Sequence, residues 1–101
     1  MSRAEFYVLL SLLDSDRHGY GIMQDVQSLT GGDVQLGPGT LYTAIARLVR
    51  GQFIEECETH NARRRCYRVT RKGKSAASDE ARRLALLVRT ARKRGLPATA
   101  P

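Results

Sequence analysis

The densest group of chemically active side chains lies between positions 61 and 74. This stretch holds seven basic residues and no acidic residue, and it includes the run Arg63-Arg64-Arg65. A guanidinium group presents a planar fork of N–H donors that matches the oxygens of a phosphate. Such a run on an exposed turn favours contact with a phosphate backbone, and the alternative is a solvated basic loop.

A second candidate is the segment Pro38-Gly39-Thr40-Leu41-Tyr42. Proline suits the first turn of a helix, and the free N–H groups of that turn attract phosphate. Gly39 allows close approach of the backbone, whereas Thr40, Tyr42 and Thr43 carry hydroxyl groups that hydrogen bond to bases or phosphates. The segment predicts either a helix that reads duplex DNA with its N-terminal end or an ordinary core helix that begins with proline.

Four further residues carry weaker signals. Arg47 lies further along the same helix and can reach a phosphate or a guanine edge. Arg50, near the end of that helix, favours pairing with a carboxylate or capping of helix carbonyls. His18 and Tyr20 lie at the start of the preceding helix, where they can touch a phosphate. The plainer interpretation makes His18 structural and places Tyr20 partly in the core.

The two cysteines, Cys57 and Cys66, form no Cys-x-x-Cys pair, and no histidine lies at zinc-finger spacing, so we expect no metal site. They flank a predicted hairpin that turns at Asn61-Ala62. Residues whose numbers sum to 123 then face each other, which puts the cysteine Cα atoms about 4.5 Å apart and Glu58 opposite Arg65. A reducing cytoplasm favours two free thiols. The alternative is an oxidant-sensitive disulfide that alters the grip of the hairpin on phosphate.

Apolar spacing predicts three short helices in the first half of the chain. The first spans residues 2 to about 14 and begins with a capping-box pattern. The second ends at Gly31-Gly32, and Val34–Leu36 is a candidate for a very short strand. The third begins at Pro38 and ends before Gly51. The apolar residues at helical spacing are Phe6, Leu9, Leu10 and Leu13 in the first helix, Ile22, Val26 and Leu29 in the second, and Leu41, Ile45 and Leu48, which give the third its buried face.

The second half of the chain predicts a hairpin followed by a long helix. Its strands run from Phe53 to Thr59 and from Arg65 to Thr70, and the helix continues from Thr70 to Gly95. One seam of that helix carries small and apolar residues at steps of three and four, as in a coiled coil. We expect the seam to pair with a second copy of the chain, and the alternative is packing against the first helix. The seam comprises Ala77, Ala81, Leu84, Val88 and Ala91, and pairing would also bury Leu87 beside it.

These elements predict a mostly α-helical fold with a small β-hairpin. Residues 1–72 form a winged helix-turn-helix domain, residues 73–95 a C-terminal dimerisation helix, and residues 96–101 a disordered tail. A chain of 101 residues holds one such domain and leaves little of itself to cover a helix of about 20 residues.

The net charge of +7 is distributed unevenly along the chain. Residues 1–58 carry 4 basic and 8 acidic side chains, whereas residues 59–101 carry 13 basic and 2 acidic ones. Such asymmetry favours a polyanionic partner, either nucleic acid or an anionic membrane surface. The chain has neither a long apolar run nor a signal-peptide pattern at its start, so we expect a cytoplasmic protein without a membrane span.

Several short motifs occur in an order and spacing that resemble the PadR family of transcription repressors. Together they cover roughly residues 5–75, and the ordered set is far more specific than any one motif. The motifs are His18-Gly19-Tyr20-Gly21-Ile22, Pro38-Gly39-Thr40-Leu41-Tyr42, Leu48, Gly51, Phe53-Ile54-Glu55, and Arg63-Arg64-Arg65-Cys66-Tyr67-Arg68-Val69-Thr70 with Gly73.

The resemblance implies a winged-helix repressor that dimerises through its C-terminal helix and binds double-stranded DNA at a pseudo-palindromic operator. It also implies release by a small-molecule effector or a stress signal, and it requires no cofactor. The chain departs from the family at Gly37, where serine is common, and glycine is a weaker cap. The chain has no tryptophan, so members that hold flat aromatic drugs between tryptophans are a poor guide to any effector here.

Other functions have less support from the residues. The two histidines lie far apart and no nucleophile, base and acid occur together, so we expect no enzyme. A winged-helix module that binds protein without specific DNA binding remains the main alternative, although it would not need the arginine run. A membrane-surface role fits the basic helix poorly because its apolar seam is narrow and rich in alanine.

Overall fold

The computed structural model describes residues 1–57 and 64–97. In chain order the elements are α1 (Arg3–Leu12), β1 (Arg17–His18), α2 (Gly19–Leu29), α3 (Pro38–Arg50), β2 (Ile54–Cys57), β3 (Cys66–Val69) and α4 (Arg71–Lys93). The first three helices pack together, β2 and β3 form a hairpin that we call the wing, and α4 follows. The predicted fold class, a mostly helical winged helix, is confirmed.

The helices begin and end where local chemistry predicts. The Ser2 hydroxyl accepts a hydrogen bond from the Glu5 amide at 3.1 Å, and the Ser2 amide donates to the Glu5 carboxylate at 3.4 Å, which completes the capping box. After α2, Gly31 and Gly32 adopt φ values of 64° and 88°, a region that glycine enters at little cost. Pro38 occupies the first turn of α3.

The hydrophobic core lies between α1 and the elements around it. α1 contacts α2, α3, α4 and β3, and Val8 and Leu9 on its inner face are fully buried. Each of the other elements gives the core a stripe at the spacing of its own secondary structure. These residues are Ile22 and Val26 of α2, Leu41, Ala44, Ile45 and Leu48 of α3, Ile54 and Tyr67 of the wing, and Ala77 of α4.

The sheet contains a strand that the sequence does not predict. β1 pairs antiparallel with β3, so the strand order is β1-β3-β2. The predicted strand at Val34–Leu36 is wrong. Its alternation of apolar and polar residues comes from a loop that rests on the core, in which the Val34 amide donates to the Thr30 hydroxyl at 3.1 Å instead of to a strand.

The wing has the predicted register, in which Ile54 faces Val69 and Cys57 faces Cys66. A disulfide joins the two cysteines, and their Cα atoms lie 5.1 Å apart. The expectation of two free thiols is therefore wrong for this structure, because directly opposed cysteines in adjacent strands fall within the distance that a disulfide bridges. The predicted turn at Asn61-Ala62 and the pairing of Glu58 lie outside the described residues.

The junction between the wing and α4 is closely packed. The Thr70 hydroxyl accepts from the Gly73 amide at 3.1 Å, which caps α4 as predicted, and it donates to the carbonyls of Gln52 at 2.7 Å and Phe53 at 3.0 Å. A Cβ atom at Gly73 would overlap the Phe53 carbonyl oxygen. Only glycine therefore lets the first turn of α4 lie against the end of β2.

The beginning of α4 packs against the domain, and the later turns of α4 extend away from it. Ala77 is only 4% exposed and packs in the core, so its assignment to a dimer seam is wrong, because almost no surface remains for a second copy. Every residue from 81 to 89 is exposed, including Leu84, Leu87 and Val88. The predicted seam therefore divides into Ala77, which is buried in the domain, and the residues from Ala81 to Val88, which are exposed.

The Gly73→Ala variant should lower the free energy of unfolding by about 1–3 kcal/mol. Alanine has the better helix propensity, but its Cβ forces the first turn of α4 away from the Phe53 carbonyl. Urea unfolding followed by circular dichroism measures the change.

The matched control is Gly39→Ala in the first turn of α3, where a Cβ atom meets nothing within 4 Å. This variant should be as stable as the wild-type chain or slightly more stable. Equal stabilities for the two variants would show that the junction is not closely packed in solution.

Candidate nucleic-acid interface

α3 presents one long exposed face. Its buried stripe comprises Leu41, Ala44, Ile45 and Leu48. Helical spacing places Gly39, Thr43, Ala46 and Arg50 directly opposite that stripe, and all four are exposed. Thr40 and Arg47 flank this face on the side of α1, where both line a shallow hollow with Ser2 and Ala4. Tyr42 flanks it on the side of the wing.

Arg50 is a further candidate for this interface. Its place near the end of α3 predicts a carboxylate partner or a cap on helix carbonyls. It lies on the outward face of α3 and forms no ion pair within the described ranges. The spacing of positions 39, 43, 46 and 50 was the available signal, because these positions follow one stripe of a helix.

The start of α2 opens into a cavity of about 560 Å³. His18 precedes α2 and forms no capping hydrogen bond with its side chain, so the first-turn N–H groups of α2 lack the usual cap and favour an anion. The cavity brings together α2, α3 and the wing. Its lining residues are His18, Gly19, Tyr20, Gly21, Gln24, Tyr42, Arg64, Arg65 and Tyr67.

Two tyrosines stand at this cavity. Tyr42 is 53% exposed, and its hydroxyl lies so close to Gly19 that a Cβ atom there would come within 2.7 Å of it. Tyr20 is 67% exposed, so the interpretation that placed it partly in the core is wrong. The buried stripe of α2 passes through Gly19, Ile22 and Val26, and Tyr20 lies off that stripe.

His18 has a structural position and an unsatisfied nitrogen. It lies opposite Cys66 in the pairing of β1 with β3. Its Nδ1 atom is buried and has no hydrogen-bond partner in the described part of the chain. The backbone of His18 therefore has a structural role in the sheet. Its imidazole ring also lines the cavity at the start of α2.

The arginines of the wing differ in their partners. Arg65 pairs with Glu56 at 3.3 Å, and Arg68 pairs with Glu55 at 3.2 Å. Arg64 is exposed, and over residues 1–57 and 64–97 it forms no ion pair. Arg63 lies outside the described residues. Arg64 is therefore the described arginine of the run that can bind an anion without giving up an internal partner.

Other polar groups of the wing hold the structure together. Lys72 donates to the Gly51 carbonyl at 2.8 Å and lies 4.7 Å from the centre of the Phe53 ring, so it closes the end of α3. Burial, with a smaller contribution from Glu56, raises the pKa of Tyr67 above its usual value of 10.0. Its phenol therefore stays neutral at the edge of the basic cavity.

Residues 8–79 match the transcriptional regulator PadR-like family. A relative in transposon Tn4556 of Streptomyces fradiae, described as an uncharacterized 37.1 kDa protein, is 36% identical over 84 residues. That alignment covers 83% of this chain and 24% of the Streptomyces protein, so the chain spans about a quarter of that relative.

Solved structures share the fold. A transcriptional regulator from Clostridium thermocellum superposes with a TM-score of 0.78 and 26% identity, over 88% of this chain and 89% of that one. Bacillus subtilis PadR, solved in complex with operator DNA, gives a TM-score of 0.70 and 20% identity, over 80% of this chain and 48% of that one.

The family match covers most of the winged helix and its motifs in order. The chain therefore belongs to the PadR-like family of transcriptional regulators, and the resemblance found in the sequence is confirmed. Because this is a family of transcription regulators, the prediction that the chain is not an enzyme is confirmed as well.

Proposed function

We propose that the chain is a sequence-specific transcription repressor that binds duplex DNA as a homodimer. The observation that carries the proposal is the cavity at which the uncapped start of α2, Tyr42 of α3 and Arg64 of the wing meet. Three elements that are far apart in sequence thus present anion-binding groups on one surface. Bacillus subtilis PadR, a protein of the same fold, was solved with operator DNA, which supports duplex DNA as the partner.

In this proposal α3 enters the major groove and reads bases with its outward face. Thr40 and Thr43 lie in the first half of the helix, where recognition helices contact base edges. Ala46 offers a methyl group to thymine, and Arg47 and Arg50 reach a guanine edge or the flanking phosphates. Gly37 has no side chain to cap α3. The first turn of α3, with Pro38 and Gly39, therefore approaches the DNA backbone closely.

The remaining groups fix the position of the protein on the DNA. The first turn of α2, with His18 and Tyr20, receives one phosphate. Tyr42, Arg64 and Arg65 hold the neighbouring backbone, and Arg63 extends this contact as predicted from the sequence. Such contacts contribute affinity without sequence information.

The uncovered half of α4 supports pairing with a second copy. Leu84, Leu86, Leu87 and Val88 are between 37% and 54% exposed on a helix that extends beyond the domain, and Ala81 and Ala91 continue the seam at steps of three and four. A dimer buries this seam by helix pairing. Its two α3 helices then read a pseudo-palindrome whose half-site centres lie roughly 34–36 Å apart.

Release by a small molecule or a stress signal remains a proposal that rests on the family resemblance. The alternative function, a winged helix that binds protein without specific DNA binding, keeps the dimer but has no use for an exposed arginine beside α3. Measurements of affinity for duplex DNA distinguish this alternative from the proposed repressor.

Thr43→Ala should reduce the preference for a selected site over random duplex DNA by about 1–3 kcal/mol. The hydroxyl points away from the core in the first half of α3, so its loss removes a base contact without disturbing packing. Fluorescence anisotropy on specific and random duplexes measures both affinities. Equal losses on the two duplexes would show that α3 does not read bases at this position.

Arg64→Ala should weaken binding to every duplex alike and reduce the salt dependence of affinity by about one unit of log–log slope. Arg92→Ala is the matched control. It also removes one arginine charge, but from a position in α4 that lies roughly 22 Å along the helix axis from Ala77 in the domain core. The control should keep the wild-type salt slope. If both variants change the slope equally, the wing makes no phosphate contact of its own.

Leu87→Glu should yield monomers that bind the operator poorly. Leu87 is 52% exposed in the single chain, so the charge leaves the fold intact but enters the seam of the dimer. Analytical ultracentrifugation at micromolar concentration measures the mass. Leu29→Glu, which alters another exposed leucine, 44% exposed at the end of α2, should remain dimeric. A monomeric wild-type chain that protects a full operator would contradict the dimer.

A further inference from the structure

The cysteine pair of the wing has a third potential metal ligand beside it. One carboxylate oxygen of Asp16 and the sulfur atoms of Cys57 and Cys66 all lie within 4.8 Å of one another. Asp16 is exposed and both cysteines are half-buried. Asp16 immediately precedes β1, in which Arg17 pairs with Tyr67 and His18 with Cys66 of β3, so the chain at Asp16 runs beside the wing.

This donor set becomes available when the disulfide is reduced. Two thiolates and a carboxylate are ligands that Zn²⁺ and related borderline or soft cations accept. Two sulfur ligands of one tetrahedral zinc lie roughly 3.8 Å apart, given Zn–S bonds of about 2.3 Å. The cysteine Cα atoms are 5.1 Å apart on adjacent strands, so the thiolates can separate to this distance without a change of register.

We propose that the reduced protein binds one thiophilic divalent cation of the zinc class through Asp16, Cys57 and Cys66. The disulfide and the bound cation are then alternative states of one site. Water fills the fourth position, since Asp16 lies at the surface. The proposal goes beyond DNA binding and does not depend on it.

The exchange between the two states balances with a peroxide as the oxidant. Two metal-bound thiolates lose one electron each and form the S–S bond. The peroxide accepts both electrons and two protons and leaves as two molecules of water, and the cation is released. A dithiol reductant reverses the sulfur chemistry, because it supplies two electrons and two protons and becomes a cyclic disulfide.

The two states connect the sheet differently. The disulfide joins β2 to β3 only. The cation would also tie the residue before β1 to both strands and would neutralise two of the three negative charges of its ligands. In the metal-bound state the wing that carries Arg64 would therefore have a side-chain link to the residue before β1, in addition to the pairing of β1 with β3.

The sequence alone predicted no metal site, since neither cysteine belongs to a Cys-x-x-Cys pair. Asp16 lies 41 positions before Cys57 and carries no spacing signature. Only the pairing of β1 with β3 brings it to the cysteines.

The test is titration of the reduced full-length chain with Co²⁺, followed by displacement with Zn²⁺. We expect a thiolate-to-cobalt charge-transfer absorption that saturates at one ion per chain and disappears as Zn²⁺ replaces it. The oxidised chain should show no such band. Addition of hydrogen peroxide to the zinc-loaded chain should release one equivalent of Zn²⁺ to a chromogenic chelator.

Variants identify the ligands. Cys57→Ser combined with Cys66→Ser should abolish the band, and Asp16→Asn should weaken Zn²⁺ binding about tenfold or more. The matched control is Asp33→Asn, an exposed carboxylate in the loop after α2, which should bind as the wild type does. Asp16→Asn keeps both cysteines, so this comparison decides the matter even if the serine variant fails to fold.

Two results would overturn the proposal. The first is the absence of a charge-transfer band in the reduced chain. The second is an unchanged Zn²⁺ affinity in Asp16→Asn. Because the titrations contain metal alone and no DNA, neither result bears on the proposed repressor function.

Discussion

The candidate DNA interface depends on the pairing of β1 with β3, to which β1 contributes only Arg17 and His18. The Arg17 guanidinium donates to the Ser11 carbonyl at 2.7 Å and pairs with Asp14 and Asp25 at 3.5 Å each. These contacts hold β1 between the end of α1 and α2. The first turn of α2, which follows β1 directly, consequently begins beside the wing.

The basic residues near this surface fall into two groups, those with an internal partner and those without one among the described residues. Arg65 and Arg68 meet the glutamates of β2, and Lys72 closes the end of α3. The two ion pairs join β3 to β2, and Lys72 joins α4 to the end of α3, whereas neither Arg64 nor Arg50 forms an ion pair with residues 1–57 or 64–97. The excess of positive charge thus serves stability as well as the proposed binding of DNA, and a count of basic residues does not separate the two uses.

The sequence is sufficient to predict the structure wherever residues close together in the chain determine it. The capping box at Ser2, the start of α3 and the wing register follow from short-range chemistry, and the sequence predicts all three. β1 was missed because two polar residues carry no strand pattern and form a strand only where β3 is available. Ala77 was misplaced because a small residue fits a dimer seam and a domain core equally well.

In the proposed complex two copies of the chain bind a pseudo-palindromic duplex, α3 reads the bases and the wing holds the phosphate backbone. Selection of bound sequences by the chain from a random duplex pool is the decisive test. We expect enrichment of one inverted repeat whose half-site centres are separated by about one helical turn, roughly 34–36 Å. Recovery of unselected sequences, retained equally at low salt and lost together as salt rises, would contradict it and leave only non-specific attraction to phosphate.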